Sequence, residues 1–254
     1  MMNRSISFRA LVAPLAASIA IAIPAVAQDG AAPAAPAQAP APAPAPAAAG
    51  VVFVKISTSK GDMLLELDAV KAPISVDNFM KYVKAGFYDG TVVHRIVPGF
   101  VVQGGGFDQA MVQKQTNPAI KNEWKNGLKN GRGTISMARL PSPDTATSQF
   151  FLNLKDNPAL DGANGPGYAV FGKIVVGLDV LDAMGAAPTM SKEVTDQAGR
   201  KQVFSDVPVE AIVMTKAVEL DAASAASMIE AAKAKPAAPA APAAPAGAMP
   251  AQPK

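Results

Sequence analysis

The 254-residue chain has no cysteine and a single histidine, His94. The first absence excludes disulfides and thiol chemistry, so packing alone must hold the fold. Together they exclude a typical zinc site, which draws three or four ligands from histidine, cysteine and carboxylate. No lysine or arginine block is present, and basic residues barely outnumber acidic ones, 23 to 20. Once Arg4 and Arg9 leave with the leader described next, 21 basic residues remain, so charge gives no reason to expect a nucleic-acid partner. A long apolar run is missing too. The N-terminal one is broken by Pro14 and Pro24 and falls short of the ~20 residues that span a bilayer.

What the N-terminus does contain is Arg4 and Arg9, a short apolar stretch, and Ala25-Val26-Ala27. That order predicts a signal peptide over residues 1–27, hence an exported protein, periplasmic in a Gram-negative bacterium, with no membrane span after cleavage. Gln28 follows the cut, so no cysteine is there for acylation. "AAPAAPAQAPAPAPAPAAAG" comes next, and "KPAAPAAPAAPAGAMPAQPK" closes the chain; twelve of the 23 prolines lie in these two stretches. Alternating Ala and Pro favours extended, solvated backbone with little to bury, so residues 28–49 and 221–254 are read as disordered spacers. A single domain is expected over residues 50–220.

Within that domain "VVFVKISTSKGDMLLELD" reads as a hairpin turning at Ser59-Lys60-Gly61. Val76, Phe79, Met80 and Val83 then recur at helical spacing, with Ser75 as the expected N-cap and Gly86 as the stop. "GTISMA", "QFFLNL", "YAVFGKIV" and "VPVEAIVMTKAVEL" read as strands, and "VGLDVLDAM" as a second helix burying Leu178, Leu181 and Ala183. Many short strands with two isolated helices give an all-β barrel or sandwich.

The stretch "VVHRIVPGFVVQGGG", residues 92–106, holds the chemistry-bearing residues, on two strands joined at Pro98-Gly99. The triple glycine is followed by no Gly-Lys-Ser/Thr and no helix start, which removes both nucleotide-binding fingerprints and leaves sharp bends or close backbone approach. A Ser-His-Asp hydrolase needs only one histidine, but Ser148 lies in no G-x-S-x-G elbow, and His94 reads as a half-buried, hydrogen-bonded structural residue. Arg95 shares a strand face with Val93 and Val97. It is either a solvated outer-face residue or a fixed cation beside two aromatic-plus-amide groups, Phe100 with Gln103 and Gln149 with Phe150-Phe151.

"FYDGTVVHRIVPGFVVQGGGF", "GTISMA", "SQFFLNL" and "YAVFGKIV", in this order, resemble the cyclophilin-type peptidyl-prolyl isomerases across about Val51 to Leu220. "IKNEWKNGLKNGRGTISMAR" and "TATSQFF" are most similar to the bacterial periplasmic branch. The resemblance implies an eight-stranded antiparallel closed β-barrel capped by two α-helices. It implies isomerisation of X-Pro bonds on the outer surface, without metal or cofactor. By position it makes Arg95 the catalytic arginine, and Phe100, Val101, Phe151 and Leu160 the proline pocket. Gln103, Gln149 and the main chain at Ala138 and Arg139 would bind substrate backbone, and Tyr168 would border the pocket. Ala159 stands where the family carries a tryptophan used by cyclosporin, so weak inhibition is expected. The loop "RLPSPDTAT" is one residue longer than in eukaryotic members, and Pro188 to Phe204 matches none of these family motifs. The expected partners are proline-containing unfolded polypeptides, and the chain is read as a monomer. A non-catalytic proline-binding or chaperone module of the same fold is the alternative.

Overall fold

The computed structural model describes residues 50–163, 165–195 and 201–234; the expected signal peptide and the spacer at 28–49 lie outside them. A hairpin opens the domain, β1 (Val51–Thr58) and β2 (Gly61–Asp68), followed by helix α1 (Pro73–Lys84). Three short strands come next, β3 (Val92–Val93), β4 (Arg95–Val97) and β5 (Val101–Gly104), then β6 (Thr134–Met137) and β7 (Phe150–Asn153). A 3-10 turn at Pro158–Asp161 leads to β8 (Val170–Val176) and helix α2 (Leu178–Gly185). The last elements are β9 (Thr189–Thr195), β10 (Lys201–Pro208), β11 (Ile212–Leu220) and helix α3 (Ala222–Ala234).

Nine strands form one antiparallel sheet in the order β3-β11-β1-β2-β8-β6-β7-β5-β4. Its two ends are halves of one segment, Val92–Val97, broken at His94. The first half pairs with β11 and the second with β5, so the sheet closes on itself as a ring of eight. This is the expected barrel, with its seam at His94. The seam needs close backbone approach: a Cβ on Gly104 would lie 3.4 Å from the Val92 carbonyl oxygen and 3.2 Å from Met214.

Strand alternation sends Val54, Ile56, Leu65, Leu67, Ile96, Val102, Ile135 and Leu152 inward, each at most 2% exposed. Phe79 of α1 joins them, packed on Tyr88, Phe150 and Phe171 at centroid distances of 5.0 to 5.6 Å. The void left between Ile56, Met63, Val102 and Met214 measures about 10 Å3. That is at the lower limit for one water, so the barrel is a packed core and binding must use its outside.

Three details differ from expectation. Ser75 does not cap α1. Ala72 is the N-cap residue and its methyl group cannot accept a hydrogen bond, so the carboxylate of Glu123 accepts bonds from the amides of Ile74 (3.0 Å) and Ser75 (2.8 Å) and from the Ser75 hydroxyl (2.7 Å). On α2 the inward stripe is Leu181, Met184 and Gly185, at i, i+3 and i+4, while Leu178 and Ala183 face solvent. The third helix, α3, occupies 222–234 of the expected C-terminal spacer. Proline is absent until Pro236, alanine is the best helix former, and Asp221 accepts from the amide and hydroxyl of Ser224 at the helix start. Residues 235–254 lie outside the described residues. No helix among the described residues is long and apolar enough to cross a membrane.

Because the α1 cap comes from 48 residues away, its loss is separable from local helix propensity. Glu123→Ala should lower stability by about 1–2 kcal/mol, a Tm fall of roughly 3–6 °C for a domain of this size. Glu123→Gln, which keeps an acceptor, should recover part of the loss in calorimetry.

Candidate active site

The site grows from strand register. Arg95 stands opposite Gln103, Gln103 opposite Phe151, and Phe151 opposite Ser136, across β4, β5, β7 and β6. Directly opposed residues project from the same face, here the outer one, because their neighbours Ile96, Val102, Leu152 and Ile135 fill the core. Pro98 and Gly99, the latter at φ 66°, turn the chain between β4 and β5, closed by the Phe100 amide on the Val97 carbonyl at 2.9 Å. That turn brings Phe100 to the rim of the same face.

An apolar cluster separate from the core forms on that face. Val101, Ala138 and Phe151 are its buried base, and Phe100, Leu160 and Tyr168 pack on them half-buried. Tyr168 meets Phe151 edge-on at 5.4 Å. The five residues that the resemblance assigned to the pocket and its border therefore come together, with Ala138 among them. The two glutamines join as well: Gln103 Nε2 donates to Gln149 Oε1 at 3.1 Å. Gly106 makes room for this, since a Cβ there would sit 2.5 Å from Gln149 Cγ. Close approach is thus what the glycine run provides.

At residues 138 and 139 the contribution is of two kinds. The Ala138 amide is taken by the Gln149 carbonyl at 2.9 Å. The Arg139 guanidinium lies over the Tyr168 ring at 4.5 Å and donates to the carbonyls of Leu140, Pro141, Pro166 and Gly167. It clamps two rim loops together. Ala159, in the 3-10 turn beside Leu160, is exposed and leaves that edge of the pocket low.

Beneath the pocket runs a polar network that sequence reasoning missed. Asn157 Nδ2 donates to the Phe100 carbonyl (3.1 Å) and to Asn153 Oδ1 (2.7 Å). Asn153 Nδ2 reaches Thr134 Oγ1 (2.9 Å) and Asn130 Oδ1 (3.3 Å), and the Ser136 hydroxyl donates to the same Asn130 oxygen at 2.7 Å. Asn130 in turn donates to Asp161, next to Leu160. Asn130, Ser136, Asn153 and Asn157 are all at most 4% exposed. A buried network with its partners satisfied fixes geometry more tightly than apolar contacts do. The signal was three asparagines in or beside strand segments, where that residue is ordinarily depleted.

Arg95 is half-exposed, and its Nε lies 3.8 Å from Asp206 Oδ2 on β10. The segment from Pro188 to Phe204, unplaced by the resemblance, falls largely within the hairpin of β9 and β10. It rests on the barrel seam, where Val194 and Val207 pack with Val92, Phe107 and Met111. His94 is more buried than expected, at 3% exposed; its ring packs tilted against Phe107 at 4.7 Å, and its Nδ1 makes no hydrogen bond, contrary to expectation. The Ser148 hydroxyl is also buried and unpartnered. No Ser148–His94 pair exists, and the hydrolase reading falls.

These residues lie within a recognised family. The description "Cyclophilin type peptidyl-prolyl cis-trans isomerase/CLD" matches residues 53–216. The chain is 52% identical over 165 residues to peptidyl-prolyl cis-trans isomerase A of Dickeya dadantii, covering 65% of this chain and 82% of that protein. It is 42% identical to peptidyl-prolyl cis-trans isomerase B of Escherichia coli, covering 63% and 95%. A cyclophilin of Cryptosporidium parvum, solved in the presence of the dipeptide Ala-Pro, superposes with a TM-score of 0.54 at 26% identity, covering 66% and 99%. The chain belongs to the cyclophilin-type peptidyl-prolyl cis-trans isomerases.

Burial, and secondarily the Arg95 charge, lowers the His94 pKa from 6.5 to about 4. Between those values the unfolded chain binds the extra proton, so stability should decline as pH falls from 6.5 towards 4, by up to ~1.4 kcal/mol per unit. Denaturant titrations of wild type against His94→Gln should show the variant losing less over that window. Equal slopes would mean His94 is protonated in the fold.

Proposed function

We propose that the protein accelerates rotation about X-Pro bonds in exported polypeptides, with Arg95 stabilising the twisted amide and no covalent intermediate. The observation that carries this reading is the sharing of one barrel face by Arg95, Gln103 and an apolar cluster built on Phe151. Resonance makes the planar bond resist rotation by ~18–20 kcal/mol, and unaided exchange takes tens to hundreds of seconds. Rotation breaks that resonance and leaves a lone pair on the proline nitrogen. A donor aimed there, or at the carbonyl, binds the twisted state better than the planar one.

Arginine suits the task because it stays charged at any working pH and its planar fork offers several donors. The proline ring would seat on Phe100, Val101, Phe151 and Leu160, with Tyr168 at the border. Gln103, Gln149 and the main chain of Ala138 and Arg139 would hold the flanking peptide while the other side of the bond turns. Apolar walls also lower the local dielectric around the cation. Residues 1–27, by their composition, support export to the periplasm, where unfolded proline-containing chains are the clients and the chain acts as a monomer.

Isomerisation of a short Ala-Pro peptide by wild type and Arg95→Ala tests this. The variant should lose about a hundredfold in kcat/KM, the scale of losing one preorganised donor. Arg95→Lys should recover little, since a point charge lacks the fork. Wild-type kcat/KM should stay flat between about pH 6 and 9, because arginine does not titrate there. An Arg95→Ala variant as fast as wild type would remove the mechanism, and a folded wild type without activity would favour the binding-module alternative.

A further inference from the structure

The hairpin of β9 and β10 carries an irregularity directed at Arg95. Phe204 pairs with Lys192 and Val207 with Met190, so Ser205 and Asp206 together oppose Ser191. This is a β-bulge, a device that bends a strand and re-aims a side chain. Within it Asp206 adopts φ 62°, one of two positive-φ non-glycine residues among those described. Such a backbone state is unfavourable for an L-residue, and aspartate tolerates it better than most. A local conformation of this kind persists only when its surroundings impose it.

Those surroundings are visible on both sides of the bulge. Phe204 meets Phe107 edge-on at 5.3 Å, and Val207 is buried in the cluster with Val92 and Met111. Phe107 also carries the His94 ring, one residue from Arg95. The hairpin is thus seated on the barrel seam, and the bulge turns a carboxylate back towards the arginine that follows it. The contact is to Nε, at the root of the guanidinium, and no second carboxylate pairs with Arg95 among the described residues. An ion pair made at Nε leaves the two terminal nitrogens for other partners.

From this geometry we propose that Asp206 is a positioning residue for the proline-isomerising arginine. It holds the Arg95 side chain by Nε so that its terminal donors face the substrate amide. This rests on the arginine reading above and adds a residue that the resemblance did not assign to the site. An ordinary exposed ion pair would contribute little, and both side chains here are 40% exposed. What separates a positioning role from a decorative pair is therefore kinetic rather than thermodynamic.

The test compares wild type, Asp206→Gly, Asp206→Asn, Arg95→Ala and the double variant Arg95→Ala/Asp206→Gly on one Ala-Pro peptide. Glycine suits the positive φ, so Asp206→Gly removes the carboxylate without straining the bulge. It should lower kcat about three- to fivefold with KM little changed, the range expected for losing one half-exposed charge contact, and leave Tm at or above wild type. Asparagine keeps both the φ tolerance and an acceptor oxygen, and should restore most of kcat. In the Arg95→Ala background, removing Asp206 should change nothing further. A wild-type kcat in Asp206→Gly overturns the inference, as does a loss that persists without Arg95 or one that asparagine does not relieve. If Arg95→Ala itself keeps full activity, the arginine mechanism falls and this inference with it. If Arg95→Ala is crippled while Asp206→Gly is not, only the positioning role is lost.

Discussion

The structure depends first on the cross-strand register that joins β4, β5 and β7. It sets Ile96, Val102 and Leu152 into a packed barrel and by the same alternation sets Arg95, Gln103 and Phe151 on the outside. A slip of one residue on any of these strands would exchange the two sets. Core packing therefore holds the site together, because the apolar residues cannot change face without large cost. That coupling lets a half-exposed surface carry a defined arrangement of cation, amides and apolar wall.

The site is shallow because the interior has no room, and shallowness suits a substrate that is part of a long chain. A closed cavity would exclude a polypeptide; an outer face does not. Rigidity has to come from below. The Asn130, Ser136, Asn153 and Asn157 network holds the strands under the pocket and the Phe100 carbonyl, and Arg139 ties the loops at the rim. On the opposite flank of Arg95 the hairpin of β9 and β10 closes the seam over Phe107.

Much of this was legible in the sequence, for identifiable reasons. The hairpin β1–β2, the apolar face of α1 and the strands of "QFFLNL" and "YAVFGKIV" follow from periodicities of 2 and 3.6. The pocket residues follow from ordered motifs that resemble a family. What could not be read was non-local. The α1 cap is supplied by Glu123 from a distant loop rather than by Ser75. The ion pair of Arg95 with Asp206 joins strands that have no pattern in common. One strand, Val92–Val97, becomes two because the ring closes within it, which no local propensity encodes. The helix α3 was hidden by composition, since alanine counts equally towards a spacer and towards a helix.

The central claim is that Arg95 acts on the twisted amide rather than on ground-state binding. Exchange spectroscopy on an Ala-Pro peptide saturating the enzyme measures it most directly, because it reports on-enzyme cis–trans exchange separately from Kd. The account predicts that Arg95→Lys binds the peptide with an affinity close to wild type while the on-enzyme exchange rate collapses. An unchanged exchange rate with weakened binding would contradict it, and would make the arginine a clamp on the planar peptide instead.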